Sequence, residues 1–235
     1  MINSFKNWIF PTKCVFCEKK LSNPKADLCE LCYTKVSYLN QNYCHQCGKQ
    51  RNESEDLCYD CRSAQHRFVS GRGMFVYDEI LRKSLYGLKF YNKTWVGRVL
   101  GKMAADFHLE EDLPMVDLVI PVPLHFSRRI RRGYNQAEIM AKEFSKVRGI
   151  PYEEVLLRTK YTLPQKELTP TERFDNLVKA IRIKKSKGNS LKGKKILLMD
   201  DIYTTGATIN SCSEVLLNAG AKEVFFLVAA IGNGL

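Results

Sequence analysis

Long apolar segments are absent from this 235-residue sequence. No run approaches the roughly 18 consecutive apolar residues that a membrane-spanning helix needs, so we expect no integral membrane segment. Near the N terminus, Trp8, Ile9 and Phe10 form an apolar stretch that stops at Pro11 and is too short for a secretory signal peptide. We therefore expect a cytoplasmic protein, and the sequence leaves open whether this stretch associates with the inner face of the membrane.

Acidic residues are scarce relative to basic ones, with 25 Asp and Glu against 37 Lys and Arg and a formal net charge of +12. Nearly all of the excess lies beyond residue 66, in an arginine cluster and a lysine cluster. Such clusters suit polyphosphate or nucleic-acid partners, and a solvated basic surface is the alternative. The clusters are Arg128, Arg129, Arg131 and Arg132, and Lys184, Lys185, Lys187, Lys192, Lys194 and Lys195.

Eight of the nine cysteines form four C-x-x-C pairs. In a chain without an export signal, this pattern indicates metal sites more than disulfides. Each pair supplies half of a tetrahedral all-thiolate zinc site, so the sequence predicts two structural Zn2+ ions. A short segment with a small core needs such ions to fold. The pairs are Cys14/Cys17, Cys29/Cys32, Cys44/Cys47 and Cys58/Cys61.

The gaps between successive pairs are nearly equal, so spacing does not decide which pairs share a metal. We favour sequential pairing, the first pair with the second and the third with the fourth, and an interleaved arrangement stays open. His45 lies inside a knuckle whose cysteines already complete the set, so we predict that it is not a ligand. Cys212 stands alone and is predicted to be a small buried side chain.

The cysteine-rich composition stops at Cys61, which places a domain boundary near His66. Residues 1–66 are predicted to form a double zinc ribbon and residues 67–235 a larger domain. Strands alternate with helices in the larger domain, which predicts an α/β fold with a mostly parallel sheet flanked by helices. Predicted strands are 72–77, 116–120, 155–157, 196–199 and 224–230; predicted helices are 78–92, 94–107, 137–147 and 207–218. An arginine-rich loop is expected after Pro123 and a basic connector over 182–195.

An acidic pair followed by small hydroxylated residues comes at the carboxyl end of predicted strand 196–199, the edge where open α/β sheets bind ligands. The residues after the pair offer backbone N–H groups, hydroxyls and a helix N-terminus, which suit a phosphate monoester. Asp200 and Asp201 would accept hydrogen bonds from hydroxyls beside it. A sugar with vicinal hydroxyls and a 5′-phosphate fits both halves, and a capped turn with an incidental acidic pair is the alternative. The loop residues are Thr204, Thr205, Gly206, Ala207 and Thr208.

The stretch from Ile196 to Ile209 resembles the signature of type I phosphoribosyltransferases: four apolar residues, two acids, then T-T-G-x-T. The resemblance implies that the acidic pair holds the ribose hydroxyls of phosphoribosyl pyrophosphate (PRPP) as the catalytic residues. Residues 204–208 would bind the 5′-phosphate. The pyrophosphate, normally presented with Mg2+, needs a second polar loop, and arginine forks match phosphate oxygens. Arg128 and Arg132 are the candidates.

The pattern R-x3-R-G-Y-N-Q, from Arg128 to Gln136, is similar to the motif of the competence protein F (ComF) family. Arg129 and Arg131 fall outside that motif. Further on, five residues look like the family's polar loop, a candidate lid over the substrate. With the cysteine-rich start, the resemblance covers nearly the whole chain. The lid residues are Arg158, Gln165, Leu168, Arg173 and Asn176.

The ComF resemblance implies a role in competence and DNA uptake, handling incoming single-stranded DNA with a competence helicase. Three functions stay open: an active phosphoribosyltransferase with an unidentified acceptor, a PRPP-binding accessory protein, and a zinc-ribbon adaptor that binds nucleic acid without turnover. The acidic pair and phosphate loop argue against the third. Five aromatics are candidates for stacking on a single strand, with a place in the core as the alternative. They are Phe68, Phe75, Tyr77, Phe90 and Tyr91.

Overall fold

The computed structural model describes residues 12–39, 42–51, 55–111, 113–159, 180–185 and 187–232. The apolar stretch at residues 8–10 and the lid candidates Gln165, Leu168, Arg173 and Asn176 lie outside these residues. Within the described ranges, no helix combines the length and apolar character needed to cross a bilayer.

A four-stranded parallel sheet forms the centre of the α/β part. Its strands lie in the order β1 (Ser70–Val76), β6 (Glu223–Ile231), β5 (Lys195–Tyr203) and β2 (Leu118–Pro121). The strands are almost wholly buried, as expected where helices cover both faces of a parallel sheet. The predicted α/β architecture with a parallel sheet is confirmed.

A separate antiparallel sheet pairs β3 (Leu156–Arg158) with β4 (Ile181–Ile183). The predicted basic connector over 182–195 contains the end of β4 and a 3-10 helix (Gly188–Leu191). Ile181 and Leu191 are fully buried, so isolated apolar residues fix the segment to the core between its lysines.

The predicted helices are confirmed, with ends shifted by a few residues. Helix α3 (Glu79–Phe90) begins after Asp78, whose carboxylate accepts a hydrogen bond from the Leu81 backbone N–H at 2.9 Å. Helices α4 (Thr94–Glu110) and α6 (Gln136–Arg148) cross closely at Gly101, where a Cβ would lie 2.4 Å from the Met140 carbonyl oxygen. The α-helices of the described residues are α1 (Glu30–Lys35), α2 (Tyr59–Ser63), α3 (Glu79–Phe90), α4 (Thr94–Glu110), α5 (Phe126–Arg132), α6 (Gln136–Arg148) and α7 (Ala207–Asn218).

The arginine-rich stretch after Pro123 is largely helix α5, not the loop that the sequence predicted. Its apolar residues Phe126 and Ile130 are both exposed. The helix therefore shows no buried apolar stripe, which is the signal by which a helix is recognised in a sequence. Because these residues form a helix, their arginine side chains point to different helix faces.

The two cysteine-rich ribbons pack against different parts of the α/β core. Val15 and Phe16 of the first share a buried cluster with α3 and α4. Cys44 and Cys47 of the second share another cluster with Tyr203 and strand β6. The division at residue 66 stays a prediction.

Candidate functional site

The candidate site opens where strand β5 runs past its neighbour β2. Pro121, the last residue of β2, pairs with Met199, whereas β5 continues beside β6 as far as Tyr203. Asp200 and Asp201 are therefore the first residues of β5 beyond the end of β2. Parallel sheets bind ligands at this carboxyl edge.

A cavity of about 390 Å³ lies at this edge, within the range of small-molecule sites. Its lining brings the acidic pair together with Thr208 of the predicted phosphate loop and with both candidate arginines. The charges of the described lining residues are unequal, because five cationic side chains face two carboxyl groups. The cationic side chains are Lys89, Arg128, Arg131, Arg132 and Arg158.

The two adjacent acids differ in their electrostatics. Burial favours protonation of Asp201. The ion pair with Lys89, a hydrogen bond with Asp200 and a hydrogen bond from Gln136 Nε2 (3.3 Å to Oδ1) outweigh it, so the pKa of Asp201 lies below its usual range. Burial and the neighbouring Asp201 charge raise the pKa of Asp200 well above its usual range. The pair thus offers one carboxylate held ionised and one carboxyl group that retains a proton more readily.

The predicted phosphate loop, residues 204–208, joins β5 to α7. Gly206 adopts a φ of +76°, and a Cβ there would lie 2.4 Å from the hydroxyl oxygen of Tyr203. The Tyr203 ring is buried and stacks on Phe226 with centroids 4.8 Å apart. A fixed ring thus holds the backbone turn at the N-terminus of α7, and a helix N-terminus suits an anion.

Helix α5 presents its arginines on two faces. Arg128, Arg131 and Arg132 follow an i, i+3, i+4 pattern and line the cavity. Arg129 faces away and forms ion pairs with Glu138 (3.0 Å) and Glu154 (3.2 Å). Both Arg129 and Arg131 fall outside the ComF-like motif, but only Arg131 of these two lines the cavity.

Arg158 enters the cavity from strand β3. Burial lowers the pKa of its guanidinium, and repulsion from the nearby Arg128 adds to this shift. Crowded, partly buried cations of this kind indicate a site for an anionic ligand, whose charge relieves the repulsion.

Two residues that flank α5 have structural roles. The His125 ring caps α5, with Nδ1 accepting a hydrogen bond from the Ser127 backbone N–H at 3.2 Å. The Tyr134 hydroxyl donates to the Leu88 carbonyl oxygen and so ties the start of α6 to α3. Cys212 is fully buried in α7, as predicted, and burial raises the pKa of its thiol.

The eight paired cysteines form two groups in sequential order, and in each group the four sulfur atoms lie within 4.8 Å of one another. The Sγ atoms of Cys17 and Cys29 are 3.7 Å apart, and those of Cys47 and Cys58 are 3.6 Å apart. Zn–S bonds of about 2.3 Å in a tetrahedron place sulfurs about 3.8 Å apart, so both groups fit Zn2+. The groups are Cys14, Cys17, Cys29 and Cys32, and Cys44, Cys47, Cys58 and Cys61.

Comparison with known proteins agrees with this two-part architecture. Residues 5–62 match a double zinc ribbon domain and residues 130–233 a phosphoribosyl transferase domain. Competence protein F of Haemophilus influenzae is 30% identical over 220 residues, 92% of this chain and 95% of that protein. The chain belongs to the competence protein F family.

Other ComF-family relatives also span nearly the whole chain. Competence protein ComFC of Bacillus subtilis is 24% identical and covers 94% of this chain and 95% of its own length. DNA utilization protein YhgH of Escherichia coli K12 is 25% identical and covers 91% and 94%. A solved structure of the allosteric regulatory enzyme of purine biosynthesis is 22% identical, with a TM-score of 0.39 over 56% of this chain and 25% of that one.

The site of this ComF-family chain includes two cations that the sequence did not assign to it, Lys89 and Arg131. Lys89 lies near the end of the predicted helix 78–92 as an ordinary polar position, yet its side chain reaches Asp201. A helix wheel over residues 126–132 would have found Arg131, because it shares a face with Arg128. Lys89 had no comparable signal, because its position follows from how α3 packs beside β5.

Proposed function

We propose that this chain binds PRPP with Mg2+ at the carboxyl edge of its sheet and acts in DNA uptake, handling incoming single-stranded DNA. The observation that carries the proposal is the cavity in which an acidic pair on β5 and Thr208 in the first turn of α7 face a cluster of arginines. A ligand that suits both must combine neutral hydroxyls with several phosphates, and PRPP does so. The names of the relatives, which refer to competence and DNA utilization, support the cellular role.

Each part of PRPP has a candidate partner. Asp200 and Asp201 would accept hydrogen bonds from the ribose hydroxyls, and residues 204–208 would bind the 5′-phosphate. Arg128 and Arg132 would contact the pyrophosphate. The structure adds Arg158 to this proposal, because it lines the same cavity.

The donor set fits Mg2+, which favours carboxylates together with the phosphate oxygens of a substrate. Asp200 and Asp201 supply the carboxyl oxygens at the cavity wall. Bound Mg2+ would neutralise charge on the pyrophosphate. If transfer to an acceptor follows, the same acids and arginines would stabilise charge that develops on the sugar and on the departing pyrophosphate.

Calorimetric titration of PRPP with Mg2+ tests the proposal on wild type, an Asp200→Asn/Asp201→Asn variant and an Asp106→Asn control on the exposed face of α4. We expect the double variant to lose affinity by about 100-fold or more, because hydrogen bonds to charged groups each contribute about 1.5–3 kcal/mol. The control should bind as wild type does. A folded, zinc-loaded wild type that does not bind PRPP would overturn the proposal. The zinc-ribbon adaptor, binding nucleic acid without turnover, would then be the favoured function.

A further inference from the structure

A second cavity, of about 450 Å³, adjoins the first. The two share a wall formed by Lys89, Phe90, Arg131 and Arg132. Asn92, Gly133 and Tyr134 complete the second lining, which therefore holds cations, aromatic rings and an amide but, among the residues described, no carboxyl group. These side chains suit an anionic ligand with a flat aromatic face.

An exposed aromatic surface extends from the rim of this cavity at the end of α3. We call Tyr86, Phe90 and Tyr91 the aromatic patch. The ring centroids of Tyr86 and Phe90 are 4.6 Å apart, and those of Tyr86 and Tyr91 are 5.7 Å apart. The three residues are 51%, 54% and 66% exposed. Contiguous exposed apolar surface of this kind marks a binding site.

The structure divides the aromatics that the sequence grouped together. Phe68 and Phe75 are 2% and 1% exposed and belong to the core. Phe90 and Tyr91 lie at the surface beside basic residues, and the Arg132 guanidinium lies 5.6 Å from the Phe90 ring centroid. Only the second set is placed to stack on a ligand.

We propose that the aromatic patch and the second cavity form one site for the nucleotide units of single-stranded nucleic acid. Bases stack on the exposed rings, and phosphates contact Arg131 and Arg132. Stacking on aromatic side chains beside a cationic groove is how non-specific single-strand binding is achieved, and a duplex hides its base faces. The inference rests on the proposed role in DNA uptake but does not require PRPP to bind.

The same chemistry has a second possible partner, an anionic membrane surface, which also attracts aromatic and basic side chains. The concave shape favours the nucleic acid. A cavity of about 450 Å³ admits a base or a phosphate, whereas a bilayer surface cannot enter it.

Fluorescence anisotropy with a labelled oligothymidylate tests the inference on the full-length, zinc-loaded protein. A Tyr86→Ala/Tyr91→Ala variant removes two rings that line neither cavity. We expect it to bind at least about 10-fold more weakly, because stacking contributes about 1–3 kcal/mol per base. A Tyr33→Ala/Tyr59→Ala control removes two equally exposed rings from the ribbons and should bind as wild type does.

An Arg131→Gln variant tests the phosphate contact. It should weaken binding and make the salt dependence of affinity shallower by about one ion, whereas Lys146→Gln, on the exposed face of α6, should leave both unchanged. Unchanged affinity in the Tyr86→Ala/Tyr91→Ala variant would overturn the inference. Binding to phosphatidylserine vesicles without binding to oligothymidylate would overturn it in favour of the membrane.

Two further probes separate this inference from the proposed function. Thymidine monophosphate serves as a competitor, and its concentration is compared with that of unlabelled oligothymidylate expressed per nucleotide. If both compete at similar concentrations, the ligand is a free nucleotide and the assignment to a strand is overturned. The Asp200→Asn/Asp201→Asn variant should keep its oligothymidylate affinity even though its PRPP binding is lost. Loss of both in a folded variant would show that the strand does not have a site of its own.

Discussion

The two zinc ribbons have the same ligand set but support different parts of the ligand site. The first lies under α3, where the Ser84 hydroxyl donates to the Val15 carbonyl oxygen at 2.7 Å. The second lies beside the phosphate loop, where the Lys49 ammonium is 5.9 Å from the Tyr203 ring centroid. The first therefore supports the helix that carries Lys89, and the second supports the strand end that carries the acidic pair.

This difference shows that a structural zinc site affects the candidate ligand site through the residues against which its ribbon packs. Tyr203 connects the second ribbon to the turn at Gly206. Its ring belongs to the same buried cluster as the cysteines of that ribbon, and its hydroxyl lies against Gly206. The first ribbon packs against α3 and α4 instead, and of these two helices α3 carries Lys89. We therefore expect damage to the second ribbon to weaken anion binding more than equal damage to the first.

Removing one zinc ligand, first from one ribbon and then from the other, should give the largest difference between the two ribbons. Cys47→Ser disrupts the second site and Cys17→Ser the first, and structural zinc contributes on the order of 10 kcal/mol to folding. We expect PRPP affinity to fall at least about 10-fold in Cys47→Ser, and by less in Cys17→Ser, since the loop turn depends on packing against the second ribbon. Calorimetry with matched zinc analysis measures both, and equal losses would contradict the comparison.

Truncating one buried ring on each side is the next largest test. Phe16→Ala removes a ring that packs edge-on against Phe75 beneath α3, and Tyr203→Ala removes the ring beneath the phosphate loop. Each should lower the free energy of unfolding by about 3–5 kcal/mol. Only Tyr203→Ala should also weaken binding of inorganic phosphate, measured by calorimetry below the melting temperature of both variants. A matching loss in Phe16→Ala would show that general destabilisation, not the loop, is responsible.

The smallest effect concerns the polar contacts of the first ribbon. Ser84→Ala leaves the Val15 carbonyl without its buried donor and should lower the free energy of unfolding by about 1–2 kcal/mol. Lys102→Ala removes a partly exposed ion pair with Asp27 and should cost less than about 1 kcal/mol, and less still in high salt. Urea titrations of both variants check the order, which is wrong if Lys102→Ala is the more damaging.

Much of the architecture was predictable because its chemistry is local in the sequence. The zinc knuckles and the segment from Asp200 to Thr208 each place their candidate ligand groups within a few residues, so the sequence pattern indicated them. Helix α5 was not predictable in this way, because Phe126 and Ile130 are exposed and give no buried stripe. The role of Lys89 at the site could not be predicted for another reason, because its partner Asp201 is more than a hundred residues away in the sequence.

The unequal lengths of β2 and β5 have a consequence for evolution and design. The crevice exists because one strand ends at Pro121 while the other continues to Tyr203. Its position thus depends on the offset between two strand ends as well as on the side chains that line it. Point substitutions would tune what the crevice holds, whereas an insertion that extended β2 past Pro121 would close it. Divergence among relatives would then be expected to tolerate exchanges at the lining and to avoid insertions and deletions at this one strand end.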